Sequence, residues 1–131
     1  MAKRKIYTLD DLNSRKASET AYSFEFKFDG APSGIILSVV GQQSETFESR
    51  AQALAKEAAL TEGLEGSPLN FLVSPRGVLL TNKLVAARLV GWTGIKEELT
   101  DETALQFVTN TAGASDQIIE ASNKIGNFIK L

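Results

Sequence analysis

Residues 22–41 read YSFEFKFDGAPSGIILSVVG, and this stretch decides the fold class of the chain. Aromatic side chains stand at every second position from Tyr22 to Phe28 and alternate with polar ones. Such alternation predicts a half-buried strand whose aromatic face packs on the core. Residues 29–34 are typical of a turn, and the β-branched residues at 35–40 predict a second strand. We therefore expect an antiparallel hairpin with a six-residue loop.

Beyond the hairpin, apolar residues recur at helical spacings of three and four. Ser44 is a good first residue for a helix that ends near Thr61, and its apolar face consists of Phe47, Ala51, Leu54 and Ala58. The nearly continuous apolar stretch Val78–Val90 predicts a central helix, which Gly91-Trp92-Thr93-Gly94 should end as a tight connection. Thr100 and Ser115 should begin two further helices. The last of these would present Ile118, Ala121, Ile125, Phe128 and Ile129.

These elements predict an α+β fold, in which an amino-terminal antiparallel hairpin or small sheet packs on about four helices and the carboxyl-terminal half is helical. Residues 6–9 are a candidate for one additional strand of that sheet. Residues 1–20 form a basic amino-terminal arm, carrying Lys3, Arg4, Lys5, Arg15 and Lys16. Residues 21–131 should form a single domain.

The amino-acid composition excludes most of the common catalytic mechanisms. The 131 residues include no cysteine and no histidine, which excludes thiol catalysis, thiolate metal sites and imidazole acid–base catalysis. The densest acidic cluster is Glu97, Glu98, Asp101 and Glu102, and its position is typical of a helix amino terminus rather than a cation site. We therefore predict no enzyme activity, no catalytic residues, no metal ligands and no cofactor.

The distribution of charged and apolar residues limits the classes of partner that we expect this chain to bind. The net charge of −2 does not favour nucleic acid, although Lys3, Arg4 and Lys5 together with the aromatic strand face leave nucleic-acid binding as an alternative. The longest apolar stretch contains Asn82, Lys83 and Arg88, so no membrane span is expected. The cytoplasm is the expected location. Open edges on a small sheet favour a homo-oligomer.

One arrangement over roughly residues 20–131 resembles a known family. The hairpin ends in Val39-Val40-Gly41-Gln42-Gln43-Ser44, an alanine-rich helix follows, and the next apolar segment closes in Val90-Gly91-Trp92-Thr93-Gly94-Ile95. The acidic cap Thr100-Asp101-Glu102 and a short helical pair ending in Asn127-Phe128 come after it. This arrangement resembles the tail assembly chaperones of long-tailed bacteriophages.

The resemblance implies a non-catalytic function. Such chaperones bind the tape measure protein, a very long helical chain, and keep it soluble while the tail is assembled. It also implies the cytoplasm of an infected or lysogenic bacterial host as the location, and absence from the mature virion. The alternatives are a structural virion component, such as a head–tail connector or a tail-tube-associated protein, and an enzyme that uses the carboxylates near residue 100.

A partner helix needs an apolar groove with a polar rim. The candidate residues come from the two amphipathic helices and from the single tryptophan, which is a frequent interface anchor. They are Phe47, Leu54, Trp92, Ile118, Ile125, Phe128 and Ile129.

Overall fold

The computed structural model describes residues 6–62 and 75–129 of the chain, and for residues 58–62 it describes the backbone alone. The described elements are α1 (Ser14–Ala17), β1 (Tyr22–Phe28), β2 (Ala31–Val39), α2 (Glu45–Glu62), α3 (Pro75–Ala86), β3 (Leu89–Thr93), α4 (Asp101–Asn110), α5 (Ala114–Asn123) and a 3-10 turn (Ile125–Asn127). The fold is mixed α+β, as predicted, with a three-stranded antiparallel sheet and helices mostly in the carboxyl-terminal half.

The hairpin forms at the predicted place but with a shorter loop. Phe28 pairs with Ala31, so only Asp29 and Gly30 connect the strands, and the expected six-residue loop is wrong. Both loop residues have positive φ, 49° and 82°, which a two-residue hairpin turn requires. The remaining turn-like residues, 31–34, belong to β2. Pro32 is accommodated there because β3 pairs with β2 only from Ile36 onward, so the missing N–H removes no bond to β3.

The third strand is a correction to the sequence prediction. The helix expected over Val78–Val90 begins at Pro75 and ends at Ala86, and Leu89–Thr93 pairs with β2 as β3. Gly91 and Trp92 are therefore strand residues, not a tight connection. The candidate strand at residues 6–9 lies outside the sheet, whose order is β1-β2-β3. A continuous apolar stretch does not distinguish a buried helix from a buried strand by its period, which explains the error.

One face of the sheet packs against the helices. Phe26, Leu37 and Val39 are completely buried there, and Leu89 extends the same surface from β3. Helices α3, α4 and α5 complete this main core with Val85, Ala86, Ala104, Val108, Ala114, Ile118 and Ala121. The alternation predicted from the aromatic strand thus places the core on the expected face.

The carboxyl-terminal helices differ in one respect from prediction. Thr100 caps α4 with a reciprocal pair of hydrogen bonds to Thr103, as its position suggested. Helix α5 begins at Ala114 and ends at Asn123, so Ile125, Phe128 and Ile129 follow the helix instead of continuing its apolar face. The side chain of Asn127 donates to the Ala121 carbonyl and fixes this turn against the end of α5.

Residues 14–20 are tied to the start of α2. Ser44 caps the helix by accepting from the Phe47 N–H at 3.0 Å, as predicted. Glu19 accepts from both the N–H and the hydroxyl of Thr46, and Ser18 is buried against Gly41. The division into an arm and a domain stays a prediction. Residues 1–5, the stretch from Gly63 to Ser74, and the last two residues lie outside the described parts.

Candidate partner-binding site

Three helices form a groove in which charged side chains surround an apolar floor. Helix α3 packs against both α2 and α4, and a cleft of about 520 Å³ opens over it between those two helices. We call it the α2–α4 groove. Its lining residues are Arg50, Ala53, Leu54, Glu57, Lys83, Ala86, Ala87, Asp101, Glu102 and Leu105. Its volume is within the ordinary range for binding clefts.

The helical period explains the floor of the groove. On α2, Ala53 and Leu54 occupy one face between Arg50 and Glu57, which follow the i, i+3, i+4, i+7 spacing. Leu105 is half-buried on α4, and Ala86 closes the floor from α3. The alanines keep the floor shallow and let a neighbouring backbone approach closely. The floor is therefore a surface for aliphatic side chains of another segment.

Two basic residues of the rim are engaged within the chain. Arg50 donates to the carbonyl oxygens of Ala87 at 2.9 Å and Leu89 at 3.2 Å, so it ties α2 to the start of β3. Lys83 lies 3.9 Å from a carboxylate oxygen of Glu57. These contacts fix the positions of the two cations along one side of the groove.

The acidic rim residues have a different environment. Asp101 and Glu102 are exposed in the first turn of α4, where the helix dipole favours negative charge. In the described residues, neither has a lysine or arginine within ion-pair distance. This side of the groove is therefore available to a basic segment.

The predicted partner-binding residues are distributed over separate places. Leu54 alone lines the α2–α4 groove. Phe47 is buried beside Val40 and Ala87, with the Arg88 guanidinium 4.3 Å from its ring centroid, and Ile118 is wholly buried in the main core. The structure thus uses both side chains for internal packing, and their role as partner contacts stays a prediction.

Arg88 is itself unusual. It is 9% exposed, donates to the Leu84 carbonyl at 2.7 Å, and its Nε has no hydrogen-bond partner within residues 6–62 and 75–129. Burial lowers the pKa of the Arg88 guanidinium because the charged form is desolvated. Its contact with the Phe47 ring partly offsets that cost. Arg88 therefore acts as a packing residue of this region.

Trp92 is held in place by its own chain. Its ring is half-buried and meets Phe107 edge-on at 5.8 Å between centroids, and its indole N–H donates to the Glu97 carbonyl at 2.9 Å. The hydrogen bond fixes the start of the connection to α4. A packing role explains each of these contacts.

The remaining candidates form a second surface at the carboxyl end of α5. Ile125 is 48% exposed, Ile129 is half-buried, and the Phe128 ring packs edge-on against Tyr22 at 6.1 Å. This surface is separate from the α2–α4 groove. The structure therefore does not unite the two groove-forming helices that the sequence suggested.

Sequence reasoning missed the contribution of α3 to the groove. The central apolar helix predicted over Val78–Val90 gives Lys83, Ala86 and Ala87 no place in a groove, yet all three line the cleft. Among the described residues, no three acidic side chains lie close enough to hold a metal ion. No helix in those same ranges has the length and hydropathy that a membrane span needs.

Comparison with protein-family models, with curated proteins and with solved structures gave no match to this chain.

Proposed function

We propose that this chain is a non-catalytic tail assembly chaperone of a long-tailed bacteriophage, which binds a helical segment of the tape measure protein and keeps it soluble in the host cytoplasm. The observation that carries the proposal is the α2–α4 groove. An amphipathic helix places three or four apolar side chains in such a groove and leaves its polar face in water. The sequence resemblance supplies the identity of the partner.

The groove favours reversible binding over permanent assembly. Its floor is short and shallow, and its rim carries charges of both signs, so contact area and apolar burial are both limited. A chaperone that must release its client during tail assembly needs this kind of surface. On this proposal the chain leaves before the virion is complete.

The first experiment is co-expression with the tape measure protein encoded in the same genome. Wild-type chain should raise the soluble fraction of that protein and co-purify with it. Leu105→Glu places a charge on the groove floor, where burial against an apolar helix leaves it unpaired, and should reduce the co-purified partner at least about ten-fold. Ile125→Glu is the matched control, because Ile125 is exposed on the second surface.

The outcomes separate the surfaces and the functions. If Ile125→Glu abolishes co-purification and Leu105→Glu does not, the α2–α4 groove is not the binding site. If neither protein changes the solubility of the other, the chaperone function is contradicted. Detection of the chain in purified particles by mass spectrometry would favour the structural virion component instead.

A further inference from the structure

The amino-terminal segment from Ile6 to Leu12 carries apolar side chains that are exposed to solvent. Ile6 and Leu9 are 88% and 89% exposed, and Leu12 is 48% exposed. Three aliphatic side chains in seven residues is a high density for a solvent-facing segment. Their exposure also means that the segment does not cover the groove of its own chain.

This segment is already shaped as the beginning of a helix. The Thr8 N–H donates to the Asp11 carboxylate at 3.0 Å, and the Asp11 N–H donates back to the Thr8 hydroxyl at 3.1 Å. This reciprocal pair has the geometry of a capping box. Leu9 and Leu12, three residues apart, therefore lie on the same side of a helical turn.

The segment is also anchored at its carboxyl end. Arg15 forms an ion pair with Glu48 at 2.6 Å, and Asn13 caps α1 by accepting from the Lys16 N–H. A docked segment would therefore lose little additional freedom on its anchored side. A short docking segment binds more tightly when it loses little conformational entropy on binding.

The charges of the segment and the groove are complementary. Lys3, Arg4 and Lys5 directly precede Ile6 in the sequence. The groove presents Asp101 and Glu102 on its acidic side, neither of which has an ion-pair partner in the described residues. Within the turn itself the two carboxylates are engaged, that of Asp10 with the Lys16 ammonium at 3.4 Å and that of Asp11 with the Thr8 N–H at 3.0 Å. The basic residues that precede Ile6 therefore supply the charge that complements the acidic side of the groove.

We propose that residues Ile6–Leu12 of one copy dock into the α2–α4 groove of a second copy, with Leu9 and Leu12 on the floor. Reciprocal exchange of the two segments gives a two-fold dimer. The inference deepens the proposed function, because the exchanged segment occupies the groove until a partner helix displaces it. The dimer itself is independent of the identity of that partner.

The lack of cysteine makes the test direct. A chain carrying Leu9→Cys is mixed with a differently tagged chain carrying Ala53→Cys, and the mixture is oxidised with copper phenanthroline. A disulfide between the two tagged chains is expected. Ser23→Cys replaces Ala53→Cys in the matched control, since Ser23 is also exposed but lies on the sheet, and should give at least about five-fold less cross-linked product.

Two results would overturn the exchange. A chain carrying both Leu9→Cys and Ala53→Cys that forms only an intrachain disulfide would place the segment in its own groove. Equal cross-linking of the Ser23→Cys control would mean random collision. Neither result depends on co-purification of the tape measure protein, so failure of this proposal is distinguishable from failure of the proposed function.

Sedimentation equilibrium gives a second, independent measurement. The wild-type chain should dimerise reversibly, and Leu9→Ser/Leu12→Ser should weaken the dimer at least about ten-fold without changing the circular dichroism spectrum. Val78→Ser, which removes an apolar side chain that is 49% exposed on α3 and does not line the groove, should leave the dimer unchanged. A wild-type chain that is monomeric throughout the micromolar range would contradict the proposal.

Discussion

Two glycines flank Trp92, and the structure gives them different roles. Gly94 has a φ of +87°, and a Cβ there would lie 2.9 Å from the Gly34 carbonyl oxygen and 3.1 Å from the Ile35 Cα. A Cβ at Gly91 would lie 3.6 Å from the Ser38 Cβ, which is an ordinary van der Waals distance. Only Gly94 is therefore required by backbone conformation and by close approach to β2.

We expect Gly94→Ala to lower the free energy of unfolding by about 1–3 kcal/mol, because strain and a backbone clash add. Gly91→Ala should change it by less than about 1 kcal/mol, or increase it slightly by restricting the unfolded chain. Urea unfolding followed by the fluorescence of Trp92 measures both. Equal losses for the two variants would show that the motif acts as a unit and not through Gly94.

Ser122 joins α5 to the end of the sheet. Its hydroxyl donates to the Val40 carbonyl at 2.9 Å in a buried position, and its own carbonyl accepts from the Gln42 N–H. Ser122→Ala should cost about 1–3 kcal/mol, because the Val40 carbonyl loses a buried partner. Ser115→Ala, a partly exposed serine on the same helix, is the control and should cost less than about 0.5 kcal/mol. Thermal unfolding of both variants decides the comparison.

At the scale of elements, the start of α2 depends on Glu19. Hydrogen bonds from the Thr46 hydroxyl, and then from its backbone N–H, lower the pKa of the Glu19 carboxyl below its ordinary value. A carboxyl whose pKa is lower in the folded state stabilises the fold above its unfolded pKa of about 4.3. That contribution is lost as the pH falls through the lower folded pKa.

Glu19→Gln should therefore destabilise the protein more at pH 7 than at pH 3. Urea unfolding at both values gives the difference between variant and wild type. Glu120→Gln controls for the general loss of one negative charge, since Glu120 is exposed on α5. A Glu19→Gln effect that is the same at both pH values would mean that the carboxylate charge does not stabilise α2.

The Gln117 side chain occupies the exposed edge of β1, where it forms the two backbone hydrogen bonds that a neighbouring strand would form. Gln117 of α5 accepts from the Lys27 N–H at 2.9 Å and donates to the Lys27 carbonyl at 2.8 Å. Without this amide, Lys27 offers both backbone groups to another strand. Gln117→Leu should speed aggregation on mild heating, measured by light scattering, whereas the exposed neighbour Asp116→Ala should not. Unchanged aggregation of Gln117→Leu would show that Lys27 and the short strand suffice as protection.

Elements that are specified by a pattern in their own residues could be predicted from the sequence. Elements that depend on packing or pairing with other elements could not. The hairpin, α2 and α4 were expected because their features depend only on residues close together in the sequence. These features are the alternation of residues 22–28 and the helix caps at Ser44 and Thr100. The strand Leu89–Thr93 was not, because its apolar residues fit either period and β2 decides between them. The groove likewise depends on how separate elements pack. Leu54 could be predicted from its position on the apolar face of its helix, whereas Lys83 and Ala86 line the cleft only because α2 and α4 lie on either side of α3.

At the scale of the whole molecule, the core is divided. The main cluster joins the sheet to α3, α4 and α5, whereas α2 packs through a small second cluster of Val40, Phe47 and Ala87. Arg50 and the caps near Thr46 add polar ties. Because the described side chains of α2 bury less apolar surface than those of the main core, α2 should open without unfolding the sheet. Such opening would let the α2–α4 groove adjust to helices of different shape.

Native-state hydrogen exchange can measure this division. Amides of α2 should exchange through an opening of lower free energy than the amides of Leu37 and Val39, which are buried in the centre of the sheet and should exchange through global unfolding. Leu37→Ala removes about 2–5 kcal/mol from the global transition and should leave the α2 opening unchanged, since Leu37 stays packed when α2 detaches.

Phe47→Ala should affect the opening of α2, which Leu37→Ala leaves unchanged. It weakens the closed native state in which Phe47 packs on Val40 and Ala87, so it should lower the free energy of the α2 opening and of global unfolding by equal amounts. If Leu37→Ala instead lowered the protection of α2 and of the sheet together, α2 would belong to the same cooperative unit. The groove would then be a rigid surface, and its partner would have to fit a fixed shape.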